Sequence, residues 1–402
     1  MRKAPFLLAV ILLAACRPPA PTTESEVQRL AEDVIPRIER TVGLTFRTPP
    51  ALAVRDRAAV ERYLIGRLDT EYPPERMANV ATAYRLFGLI PDTLDLRAML
   101  LGVLAEQVVG YYDPDSLTLY VVEGTDPAQI RLVLAHELVH ALQGQYVPLD
   151  SLLSLRNEND RQMAAQAILE GQATLASLTA MFDEERLRQL GSFWGDVRAS
   201  VREQQESMPL FASAPLVIRE GLLFPYLAGA DFVRWFGETY PDTLPFGARM
   251  PASTEQILYH DRYAERDAPV SLRFRPAPHA GDPLYEDTWG QFETRLVLRE
   301  LTGSESLANA GALGWEGDRF AVYRHASGDA LVWWSVWETA QSAAKFAAML
   351  ERSWGRDGRR WAVRQEIVAG LPAVVLLDAA ATWPGWETLP TVARADGETG
   401  RR

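Results

Sequence analysis

The stretch Ala135-His136-Glu137-Leu138-Val139-His140 decides how the rest of this chain is read. Residues four apart on a helix lie one turn above each other, so His136 and His140 would present both imidazoles to one point. That is a metal-binding arrangement. Glu137 projects beside the same point and is placed to take a proton from a metal-activated water. Ahead of it, Asp126-Pro127 reads as an N-cap followed by Pro at the first helical position, with Gln129 as reciprocal capping partner. A helix over about 127–145 is therefore expected. Ile130, Val133, Leu134, Leu138, Val139 and Leu142 make it apolar nearly all round, which places it at a domain centre. There, two His and a Glu would be costly unless paired or bound to a metal.

A second helix is expected over about 160–182, carrying Ile168-Leu169-Glu170-Gly171-Gln172-Ala173-Thr174. Catalytic zinc typically takes three protein ligands and leaves one position open, and two His with one Glu is a standard set. Glu170, in a small and otherwise apolar stretch, is the expected third ligand. Between Val108 and Glu123, Gly110-Tyr111-Tyr112 and Leu117–Val122 alternate like strands around the turn Asp113-Pro114-Asp115-Ser116. This hairpin either borders a cleft as an edge strand that pairs with an extended peptide, or is plain scaffold.

His136-Glu137-x-x-His140 followed by Glu170-Gly171-x-Ala173 resembles the gluzincin branch of zinc metallopeptidases, over about residues 110–182. The whole chain more loosely resembles uncharacterised bacterial lipoproteins of metallopeptidase type. The resemblance implies a zincin-like fold, Zn²⁺ held by His136, His140 and Glu170, Glu137 as general base, and a peptide or protein substrate. It also implies an oxyanion donor, a Tyr or His from a downstream helix. Tyr226, in Phe224-Pro225-Tyr226 within a helical pattern from Val217 to Glu238, is the first candidate and His260 the second. Two departures stand out. The interval from His140 to Glu170 is longer than in well-known members, and Thr174 stands where thermolysin-like enzymes carry an Asp that orients a ligand His. That ring must then find another acceptor.

Outward from this centre, residues 1–16 read as an export signal: Arg2 and Lys3, an apolar stretch from Phe6 to Leu13, then Leu13-Ala14-Ala15-Cys16. The apolar stretch is too short to span a bilayer. It resembles a bacterial lipoprotein signal, which implies a lipidated Cys16 at the mature N-terminus and attachment to the cell envelope. Removing residues 1–15 takes the formal charge from -12 to -14, which argues against a nucleic-acid partner. Cys16 is the single Cys, so no intramolecular disulfide can form.

The expected fold class is α+β, and 402 residues permit two domains. Residues 17–25 form a tether, and 26–283 a mainly helical zincin-like catalytic domain with the small edge hairpin. Residues 284–390 form a C-terminal α+β sheet domain with its sheet covered on one face, and 391–402 a polar tail. Nine of the eleven Trp fall at or after Trp289, either as core packing or as a band that grips a ligand. The competing functional reading is a latent or non-catalytic metal-binding envelope lipoprotein that assists folding or assembly.

Overall fold

The computed structural model describes residues 23–153, 155–181, 193–355 and 357–395. Residues 1–16, expected to be an export signal ending at Cys16, and the end of the tail lie outside the described residues. The chain is α+β and divides into two compact units. Unit 1 comprises residues up to Pro74, Asp95–Ser154 and Ala165–Met250, and unit 2 comprises Glu75–Leu94, Leu155–Ala164 and Pro251 onwards. No described helix is long and apolar enough to cross a membrane.

Unit 1 is built around α2, Pro127–Tyr146. Helix α1, Glu24–Val42, begins at a capping box formed by Thr23 and Glu26, so the expected tether is already helical by residue 24. Its apolar stripe of Val27, Val34, Ile38 and Val42 packs with Leu134, Leu138, Ala141 and Leu142 in one core cluster. A three-stranded sheet of order β1-β3-β2 (β1 Ala51–Arg55, β2 Gly110–Asp113, β3 Thr118–Val122) flanks it, with β1 parallel and β2 antiparallel to β3. Strand β2 is the sheet edge, yet a Cβ on Gly110 would meet Val133 Cγ1 at 2.6 Å. That contact packs the face of β2 on α2, and the Tyr112 N–H is taken by Glu137 of the same helix, so the hairpin is scaffold there.

Helix α3, Asn159–Met181, crosses helix α4, Leu216–Thr239, within unit 1 at a pair of glycines. A Cβ on Gly229 would overlap the Ala167 carbonyl, and one on Gly171 would overlap the Gly229 backbone. Only glycine permits backbones this close. Glu170 and Tyr226 sit one residue and one turn away from this crossing, so it fixes both.

Unit 2 is a five-stranded antiparallel sheet of order β5-β6-β7-β9-β8, spanning Asp282–Asp287, Trp315–Arg324, Ala330–Trp337, Leu371–Ala379 and Arg360–Val368 respectively. Strand β5 runs to Asp287, and the helix Gly290–Thr302 follows it. One face carries Phe346 of helix Ala340–Ser353 against Trp333 and Trp337. The other holds Val332, Trp334 and Val375 with Leu272, Ala280, Trp383 and Val392. Both faces are therefore covered, where one was expected, because segments without a strong period of their own wrap the second. Part of the supposed polar tail takes part: β10, Val392–Arg394, pairs antiparallel with β4, Leu272–Phe274. Trp333, Trp334 and Trp337 are all buried, so this Trp band is core.

The expected single boundary at 283/284 is not how the contacts divide the chain. Phe87 packs edge-on against Trp289, Phe320, Trp333 and Trp354, which draws 75–94 into unit 2. The Asn159 N–H donates to Asp287 at 2.8 Å and the Thr254 N–H to Asp160 at 2.8 Å, which draws in the first turn of α3. Asp318 accepts from the N–H groups of Trp289 and Gly290 at 2.9 Å each. Burial pushes Asp160 up to about 6, Asp318 up to about 7 and Glu293 well above its ordinary value.

Gly229→Ala should destabilise the protein by about 1–3 kcal/mol through overpacking, although an exposed helical Gly→Ala change gains about 1 kcal/mol. A urea midpoint equal to or above wild type would mean that the crossing is looser than described.

Candidate metal centre

The helical period brings His136 and His140 to one face of α2, with ring centroids 4.7 Å apart. Their Nε2 atoms are 3.0 Å apart. From α3, Glu170 Oε2 stands 3.1 Å from His136 Nε2 and 3.3 Å from His140 Nε2. The three residues anticipated as ligands thus converge in unit 1 and form a group able to hold a metal ion. Relative exposures are 2% for His136, 1% for His140 and 4% for Glu170, so solvent does little to screen them.

Glu137, fully buried, is held on one side only. Its Oε2 accepts the Tyr112 backbone N–H at 2.7 Å, and its Oε1 is buried with no hydrogen-bond partner among the described residues. An orphaned carboxylate oxygen of this kind costs free energy unless it has work outside the fold. The strand edge that looked available to a peptide is spent on orienting this carboxylate.

Gln143, which sequence reasoning passed over, faces the other side of His140. Its Oε1 lies 2.9 Å from His140 Nδ1, and its Nε2 donates to the Leu169 carbonyl at 3.0 Å and to Gln172 Oε1 at 2.9 Å. The available signal was a Gln one turn beyond His140 in a helix otherwise apolar on that face. Thr174, at the position of the missing Asp, has a hydroxyl without a partner among the described residues. Tyr226 is brought to the centre, its ring roughly parallel to that of His136 with centroids 6.0 Å apart. His260, the second candidate for the oxyanion donor, belongs to unit 2, at the start of helix His260–Ala264.

The charges are interdependent. Burial opposes an imidazolium at His140, but the Glu170 carboxylate outweighs it by charge and hydrogen bond and raises His140 to about 9. Burial likewise opposes a charged Glu170, but His140 and His136 together bring it down to about 2. For His136 burial dominates and lowers its value. Glu137 is pushed up to about 8, chiefly by burial, with Glu170 adding to the effect and His140 opposing it. Without a cation, the lone pairs converging here need a proton between them. The donor set fits a metal for that reason: a cation would take the proton's place among two imidazole nitrogens and one carboxylate oxygen.

A second carboxylate group, Asp267, Glu316 and Glu338, lies in unit 2. Arg262 already pairs with Asp267 at 3.0 Å and with Glu338, so a cation is present there without a metal.

Comparison with known proteins adds little. Residues 279–380 match a family model described as a domain of unknown function, DUF8575, outside the metal centre. No curated protein matches the chain. One crystal structure, titled as that of "a putative hydrolase with a novel fold" from Chloroflexus aurantiacus, is similar at 18% identity and a TM-score of 0.38. It covers 60% of this chain and 89% of its own. A likeness that low carries no argument about fold or chemistry.

Metal uptake should release between one and two protons per ion at about pH 7.5, because His140 must give up its proton to ligate and the cation favours the ionised form of Glu137. Between the unfolded value of 6.5 and the folded value of about 9 for His140, the folded protein holds that proton and its release should fade above the upper limit. Calorimetry in buffers of different ionisation enthalpy reads the number directly, and zero release at about pH 7.5 would show that no proton occupies the cluster.

Proposed function

We propose that this chain is a zinc-dependent peptidase of the cell envelope. The observation that carries the reading is the pairing of a buried three-donor group with a neighbouring carboxylate whose Oε1 is left bare. A structural site has no use for such a group. His136, His140 and Glu170 would hold the zinc, which when bound supplies a Lewis acid that polarises a scissile carbonyl and acidifies water.

The remaining chemistry falls to the chain itself. Glu137, braced at Oε2 by the Tyr112 amide, takes the water proton at Oε1 and passes it to the leaving amine. The positive charge of a bound cation favours the ionised carboxylate this step requires, against the burial that raises it. Tyr226, ring against His136, is the donor we assign to the oxyanion. Cys16 would tether the enzyme by its lipid, leaving the units described here outside the cytoplasm.

One observation favours a second form of the same reading. All four site side chains are buried, and none lines the cavity of about 1310 Å³ bordered in unit 1 by Arg40, Gln172, Thr179, Phe236 and Leu244. Tyr226 is partly exposed, so a latent form would need to open only around the ligands and Glu137 to admit substrate.

Glu137→Gln should retain one zinc per chain and lose about 10²–10⁴ of peptide hydrolysis, while Glu170→Ala should lose the zinc. Elemental analysis beside a peptide-library assay, run before and after limited proteolysis to open a latent form, tests both. Undiminished hydrolysis by zinc-loaded Glu137→Gln would remove the peptidase reading. Separately, Cys16→Ser should move the protein from the membrane to the soluble fraction of the envelope, and unchanged partitioning would remove the lipid tether.

A further inference from the structure

Hydrogen-bond polarity around Gln143 can be followed without ambiguity, beginning from a backbone carbonyl. The Leu169 carbonyl can only accept, so the amide group 3.0 Å away must present its NH₂ there. The second N–H of that NH₂ goes to Gln172 Oε1. Both donors are then spent on α3, and the end facing His140 is the carbonyl oxygen, Oε1. An amide oxygen also only accepts. His140 Nδ1 must therefore carry a hydrogen and donate it.

A neutral His140 with hydrogen on Nδ1 has its lone pair on Nε2. That is the atom standing 3.0 Å from His136 Nε2 and 3.3 Å from Glu170 Oε2. The opposite tautomer would put a lone pair against the Oε1 of Gln143 and a hydrogen where a ligand bond is needed. The same amide grips the carbonyl of the residue next to Glu170, so it ties two ligands to each other as well as selecting the tautomer of one. Leu169 is buried and Gln172 nearly so, which leaves water little opportunity to replace these bonds.

We infer that Gln143 is the positioning residue of the centre: it locks His140 as the Nδ1–H tautomer and braces the turn of α3 that presents Glu170, and thereby sets metal affinity. This rests on the metal-binding reading above. Gln143 gives His140 a neutral acceptor from the metal helix itself. A neutral acceptor adds no negative charge, so Glu170 is the anionic member of the donor set.

The test uses the full chain and cobalt(II) as the probe, followed by visible absorption, with Gln143→Leu and Gln172→Leu beside wild type. Gln143→Leu should weaken cobalt binding by about 10–100-fold and alter its spectrum, whereas Gln172→Leu, which removes one strut only, should weaken it less. Cobalt affinity within twofold of wild type in a folded Gln143→Leu protein would overturn the inference. Should that variant fail to fold, nitrogen-15 NMR of histidine-labelled, metal-free wild type at about pH 10, above the range in which His140 holds its second proton, decides: the neutral ring must show hydrogen on Nδ1 and a bare Nε2, and the reverse overturns it. If wild type takes up no cobalt, the metal reading fails, and the same tautomer measurement still judges the role of Gln143.

Discussion

Three lone-pair-bearing atoms are forced together inside a helix pair with almost no water, and unit 1 is arranged around that constraint. Two imidazole nitrogens and a carboxylate oxygen within 3.0–3.3 Å repel unless a cation or a proton lies among them. Holding them there takes rigid surroundings. The glycine crossing brings α3 and α4 together at backbone distance, the Gln143 amide fastens α3 to α2, and the Tyr112 amide fastens β2 to Glu137. Each of these contacts spends a polar group or forgoes a side chain, which a core built for stability alone would not need.

Unit 2 resolves burial differently. Its core is aromatic, with Phe87 enclosed by Trp289, Phe320, Trp333 and Trp354. Three of its buried carboxylates, Asp160, Asp287 and Asp318, accept backbone N–H groups at the starts of helices, as Asp318 does at Trp289 and Gly290. Those are capping and anchoring contacts. The two units therefore bury acidic groups in distinct settings: unit 2 where they hold segments of chain, unit 1 within a group able to hold a metal ion.

Much of this was legible in the residues. His136 and His140 declared themselves by spacing, and Glu170 by being an acid in a small apolar stretch. The sheet character of the C-terminal region was legible, although β4, β5 and β10 were not, and the helices around the centre fell within a residue or two of expectation. Gln143 did not, since one Gln in a helix looks like any half-exposed polar residue until its neighbours are known. The Tyr112 amide could not, since a main-chain N–H has no letter in the sequence. The division of the chain was hidden for a related reason: Phe87 and Asn159 make their deciding contacts with residues about 130 to over 200 positions away.

The sequence by itself determined which atoms could serve as ligands and that one helix would carry two of them, because helical periodicity is local and needs no partner. Only the tertiary structure decided that Glu170 reaches those two, that Gln143 faces His140, and that the ring of Tyr226 lies beside that of His136. Those outcomes depend on how separate segments pack, and packing is fixed by shape and hydrogen-bond polarity summed over contacts that no window of sequence contains.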